Sequence, residues 1–163
     1  MTDTKHILVA LVEDKPGVLT RVASLFRRRG FNIQSLAVGH SEQPGLSRMT
    51  IVVSGDSAVV EQIRKQLDKL INVIRVSDIT GEHIVARELS LIKVKATTST
   101  RNEIMQIVDV FRANVVDVGS DSLTVEVTGD ENKVNSLFEL LRSFGIKELA
   151  RTGTVALTRG GIS

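Results

Sequence analysis

The stretch Glu13-Asp-Lys-Pro-Gly-Val-Leu19 carries residue types suited to holding a small molecule rather than to breaking bonds. Gly17 stands where an apolar run ends and an amphipathic helix is expected to start. Having no side chain, it lets a ligand approach the unpaired N–H groups of a helix N-terminus. Those donors, with the positive end of the helix dipole behind them, favour a carboxylate. Asp14 offers a negative group to an ammonium, and Asn32, after the helix, carries both a donor and an acceptor. Val18, Leu19 and Ile33 add apolar surface. A zwitterion with an apolar side chain, a free amino acid, complements this set. A second reading has Pro16 and Gly17 merely shaping a turn and Asn32 capping a strand. The residues alone leave both open.

Groups for bond-making chemistry are missing. Glu13 and Asp14 diverge on an extended chain and have no evident His, Lys or metal partner. His6, His40 and His83 lack metal-ligand spacing. Zero cysteines exclude thiolate catalysis, disulfides and sulfur-bound zinc. Neither a phosphate loop, a dinucleotide fingerprint nor a nucleophile elbow is present. Asp56 and Asp130 read as helix N-caps, and Arg27 to Arg29 as a solvated helix end complementing the dipole. No catalytic residue, metal ligand or bound cofactor is expected in this chain.

Composition narrows the partners. A net charge of +2 gives no basic footprint. The pI of about 9.2 reflects a slight cationic excess with no Cys or Tyr to resist the pH climb. Five Phe with no Trp or Tyr leave little for base stacking, so nucleic acid is not an expected partner. Ile7 to Val12 is too short for a signal peptide core, and no run approaches membrane-spanning length. A cytoplasmic, reducing compartment fits.

The elements that must position the turn follow from periodicity. Ile7 to Val12 predicts a buried strand. Val18, Leu19, Val22, Ala23 and Phe26 recur at helical spacing, with Pro16 expected in the first turn and Gly30 at the stop. Phe31 to Val38 and Arg48 to Val53 predict strands flanking the loop His40 to Gly45. Val60, Ile63, Leu67 and Leu70 mark a second helix, with Glu61 and Lys65 as an outer i,i+4 pair. Val73 to Val76 closes the set, giving βαββαβ, the ferredoxin-like order.

The pattern then repeats. Leu89 to Val94 is a strand, Ile104 to Phe111 a helix, Val115 to Val118 and Leu123 to Val127 strands. Val134, Leu137, Leu141 and Phe144 mark another helix, and Val155 to Leu157 a final strand. "VVSGD" (Val52 to Asp56) is echoed by "EVTGD" (Glu126 to Asp130) at the same place in the order. The expected fold class is α+β, with two ferredoxin-like βαββαβ units at residues 5–78 and 84–158. Units of about 75 residues bury little surface alone and expose sheet edges, which invites a homodimer or docking on a larger partner.

The turn Asp14-Lys-Pro-Gly-Val-Leu19 resembles the Asp-x-Pro-Gly-x-Leu turn of ACT domains, βαββαβ amino-acid sensors. "RVASLFRRRGFNIQSLAV" (Arg21 to Val38) and "LSRMTIVVSGD" (Leu46 to Asp56) resemble the regulatory small subunits of acetolactate synthase, also called acetohydroxyacid synthase. The similarity extends over essentially the whole chain, including "ARTGTVALTRG" (Ala150 to Gly160), and the length matches the short bacterial form.

The resemblance implies that the first unit is an ACT domain and the chain a non-catalytic subunit. It would bind a large subunit carrying thiamine diphosphate, magnesium and FAD, raise its activity and confer feedback inhibition by valine in branched-chain amino-acid synthesis. Valine would sit between the ACT domains of two chains. Asp14, Gly17, Val18 and Leu19 then belong to one protomer's turn, Asn32 and Ile33 to the neighbour's strand. Family members often have Asn where this chain has Asp14. The nearest alternative is an ACT regulator of another enzyme sensing a different amino acid.

Overall fold

The computed structural model describes residues 4–160, which fall into two compact units, 4–85 with 156–160 and 86–155. The first runs β1 (Thr4–Glu13), α1 (Val18–Arg28), β2 (Ile33–His40), β3 (Leu46–Gly55), α2 (Ser57–Asp68) and β4 (Val73–Asp78). The second runs β5 (Ile84–Lys95), α3 (Arg101–Val110), β6 (Asn114–Val118), β7 (Ser122–Gly129), α4 (Glu131–Arg142) and β8 (Ile146–Arg151). A last strand, β9 (Val155–Thr158), pairs with β5. The sheet orders β2-β3-β1-β4 and β6-β7-β5-β8 are the same pattern twice, two ferredoxin-like βαββαβ units in an α+β fold.

Alternation along the strands explains where each core sits. Leu8, Ala10 and Val12 of β1 and Met49, Ile51 and Val53 of β3 share one face of the first sheet. Against them pack Val18, Val22, Leu25 and Phe26 of α1 and Val60, Ile63 and Leu67 of α2, spaced as a helical stripe. The second unit repeats this with Ile92, Val94, Leu123, Val125 and Val127 under Ile104 and Val108 of α3 and Val134, Leu137 and Leu141 of α4. Each fully buried side chain of this kind stabilises its unit by roughly 1.5–3 kcal/mol.

Helix boundaries follow from local chemistry. Asp56 and Asp130 cap α2 and α4, accepting hydrogen bonds from the Ala58 and Lys133 N–H groups. At the end of α1, the Gly30 N–H donates to Arg27 and the Phe31 N–H to Phe26, the paired bonds of a Schellman stop. Gly55 answers to packing: a Cβ there would sit 2.0 Å from the Phe31 ring.

Three expectations need correction. Pro16 lies outside α1, because Gly17 takes the N-cap position and the helix starts at Val18. Glu61 pairs with Arg64, at 2.6 Å, rather than with Lys65; one turn back, the guanidinium reaches both carboxylate oxygens. The final strand expected at 155–157 is present and pairs with β5, but residues 156–158 group with the first unit rather than the second. The strand closing the second unit is β8, whose residues are mostly exposed.

Candidate functional site

Gly17 adopts φ 85° and ψ −10°, the left-handed region that a residue with a Cβ enters only at a cost. The fold therefore demands glycine here independently of any ligand. No side chain caps α1, and the Val18 N–H reaches the Lys15 carbonyl only at 3.4 Å. The Arg21 N–H, donating to Gly17 at 3.1 Å, is the first to make the helical bond. Nothing lies within 4 Å of where a Gly17 Cβ would be. The result is an uncapped helix N-terminus below open space, suited to a carboxylate or another small anion.

The turn is held in place from several sides. The Asp14 N–H donates to the Gly45 carbonyl at 2.9 Å, tying it to the loop before β3. The Glu13 N–H donates to Asn72, whose side-chain amide returns a bond to the Glu13 carboxylate at 2.7 Å. With Lys15 Nζ 3.0 Å away as well, the Lys15 and Asn72 hydrogen bonds hold the Glu13 carboxyl below its ordinary pKa. Glu13 is thus committed to the scaffold, which leaves Asp14 as the carboxylate facing outward, its side chain 51% exposed.

The predicted residues separate into two groups. Asp14, Gly17, Val18 and Leu19 lie together at one end of the first sheet. Val18 is buried in the core, so only its backbone N–H faces a ligand. Leu19 is exposed and lines a groove of about 310 Å³ along the outer side of α1 with Thr20, Ala23, Ser24 and Arg27. Asn32 and Ile33 sit at the other end. Ile33 lies level with Val53, and Val53 with His6, whereas Glu13 is seven residues further along β1. At strand rise that is roughly 23 Å, beyond the reach of one amino acid.

The structure adds a residue that sequence reasoning set aside. His40, at the end of β2, places Nδ1 3.4 Å from Asp14 Oδ2. Only the register of β2 on β3 reveals it, for the two residues are 26 apart in the chain.

A second histidine cluster has a structural role. Buried His6 lies 3.0 Å from Asp78, 2.9 Å from the Thr4 hydroxyl and 3.4 Å from Ser57 Oγ. The contacts run Ser-His-Asp, yet Thr4 takes the closer place on the ring, so the group fastens β1 to β4 and α2. Burial pushes the Asp78 carboxyl up, but bonds from the Thr80 hydroxyl and N–H and from His6 outweigh it and leave it below its usual range. Among the described residues no His, Asp and Glu group is arranged to hold a metal ion, and no helix is long and apolar enough to cross a membrane.

Comparison with known proteins gives a consistent picture. A family model for an AHAS small subunit-like ACT domain matches residues 8–75, and one for the small subunit of acetolactate synthase matches residues 87–160. The chain is 61% identical over 156 residues to a probable acetolactate synthase small subunit of Archaeoglobus fulgidus, covering 96% of this chain and 98% of that one. It is 56% identical over 160 residues to the acetolactate synthase small subunit of Mycobacterium bovis, covering 98% and 95%. The crystal structure of the Thermotoga maritima acetolactate synthase small subunit superposes with a TM-score of 0.89 at 44% identity, covering 98% of this chain and 99% of that one. With a first unit that is an ACT domain and relatives aligned across nearly its whole length, the chain belongs to the acetolactate synthase small-subunit family.

Proposed function

We propose that this chain is the regulatory subunit of an acetolactate synthase, itself without catalytic activity, and that valine binding at the α1 turn adjusts the activity of its large subunit. The observation that carries the ligand reading is the uncapped N-terminus of α1 under open space at Gly17. A valine carboxylate takes the free N–H groups, its ammonium faces Asp14, and Leu19 borders its side chain.

A site that uses both the turn and Ile33, roughly 23 Å apart within one chain, takes two chains. β2 is an edge strand of the first sheet. A second copy pairing its own β2 antiparallel to this one carries its Asn32 and Ile33 towards His40 and the turn. The proposed site is therefore a feature of a homodimer, with Asn32 closing it from the partner.

The family's reaction condenses pyruvate with pyruvate or 2-oxobutyrate. Thiamine diphosphate, magnesium and FAD belong to the large subunit in this reading. Valine shifts activity by binding one arrangement of the dimer better than another. Calorimetric titration with valine, with leucine, isoleucine and glycine as comparators, tests the proposal. Saturation near one valine per chain is expected, together with valine inhibition of the enzyme reconstituted with its large subunit. Valine inhibition that survives Gly17→Val overturns the site assignment. Preference for another of the amino acids replaces valine as effector.

A further inference from the structure

Asn72, the residue just before β4, stands in the left-handed region at φ 73°. Asparagine enters that region more readily than most residues with a Cβ, and glycine more readily still. The backbone would be served as well by glycine, so the side chain needs a reason of its own. Its partners supply one. The amide Nδ2 donates to Glu13 Oε2 at 2.7 Å, and Oδ1 accepts from Arg21 Nη1 at 2.7 Å. A carboxylate on one side and a guanidinium on the other leave the amide one satisfied orientation, and both bonds are charge-assisted. The Asn72 carbonyl adds a third link, accepting from the Glu13 N–H at 2.8 Å.

These partners bracket the candidate site. Glu13 is the last residue of β1, and Arg21 makes the first helical bond of α1, to Gly17. The turn and the N–H groups of residues 18–20 lie between them. A bulge, where Leu11 pairs with Arg75 and Val12 with Val73, sets the start of β4 against the end of β1. Packing of Val18 and Val22 holds one face of α1 on the sheet. Asn72 is the side chain that ties both ends of the turn to a single point.

We propose that Asn72 is a positioning residue for the amino-acid site: it fixes the N-terminal donors of α1 before the ligand arrives and so sets the affinity for the ligand carboxylate. The proposal rests on the ligand reading above and names the residue on which that site's preorganisation depends. Every free amino acid shares the carboxylate. Loss of the clamp therefore weakens each one that binds by the same factor and leaves their ranking unchanged.

Titration calorimetry of Asn72→Gly with valine, leucine and isoleucine tests this, alongside thermal melting of the full chain. Glycine keeps the left-handed backbone and the carbonyl while deleting both side-chain bonds, so the melting temperature is expected to stay close to wild type. Valine affinity is expected to fall about two- to ten-fold, the scale of ordering one immobilised side chain. Arg21→Met cuts only the exposed link to α1 and is expected to show a smaller loss. Asn72→Asp sets two carboxylates face to face. Adding Glu13→Gln to it exchanges the amide and the carboxylate, and is expected to recover affinity. Wild-type affinity in both Asn72→Gly and Arg21→Met overturns the positioning role and leaves the ligand reading intact. A loss for one amino acid and not for the others that bind overturns it as well. Failure of the wild-type chain to bind any of the three overturns the ligand reading and the role of Asn72 with it.

Discussion

Replacing Gly17 with alanine separates the two reasons this position has for being glycine. At φ 85° a Cβ meets the neighbouring carbonyl unfavourably, while the space above is empty to 4 Å. The folding cost is therefore backbone strain without a packing clash, about 1 kcal/mol or slightly more. In a domain of this size that lowers the melting temperature by roughly 4–8 °C per kcal/mol. If the open space belongs to a ligand carboxylate, the new methyl enters it, and valine affinity falls about ten-fold or more, equivalent to about 1.4 kcal/mol. Scanning calorimetry gives the first quantity and titration calorimetry the second, both on the full chain, with the two units fitted as separate transitions. Gly145→Ala in the second unit supplies the control. Its φ is 105°, and the nearest contact to a Cβ is an ordinary 3.5 Å to Lys95, so it carries comparable strain with valine binding unchanged. If Gly17→Ala melts at the reduced temperature but binds valine like wild type, glycine serves only the turn and the ligand reading fails. If it melts like wild type, the strain argument fails.

Two further outcomes follow from the same structure. Gly55→Ala places a Cβ 2.0 Å from the Phe31 ring, so the ring must swing aside, and denaturant titration should show a loss of about 1–3 kcal/mol confined to the first unit. Asp78→Asn should flatten the acid limb of stability: a carboxyl whose folded pKa is depressed contributes above its unfolded value, near 4, and loses that contribution as pH falls through the folded value. Stability measured from pH 5 to pH 2 should fall more steeply in wild type than in the variant, and parallel curves would show that the Thr80 and His6 bonds do not favour the charged form.

What the sequence determined by itself was whatever depends on neighbours along the chain. The order of strands and helices followed from apolar spacing, because a period of two or of 3.6 residues decides which face each element buries. The Asp56 and Asp130 caps and the Gly30 stop were legible because capping acts within a few residues. So was the Pro-Gly turn before α1, whose residue types sit in one short stretch, and so was the family. β8 was not legible as a separate strand. It lies at a sheet edge, mostly exposed, and needs no apolar alternation to hold its place.

Tertiary structure decided what depends on strand pairing across the chain. Asn32 and Ile33 read as companions of the turn, yet the order β2-β3-β1-β4 puts the start of β2 at the far end of the sheet from Gly17. His40 looked like a loop residue until the β2–β3 register set it against Asp14. Val18 is core and Leu19 surface, although adjacent, because α1 turns only one side to the sheet. The tail's bond to Arg48 joins residues 108 apart. Pairings at that separation follow from how whole elements pack, and no local pattern of residues encodes them.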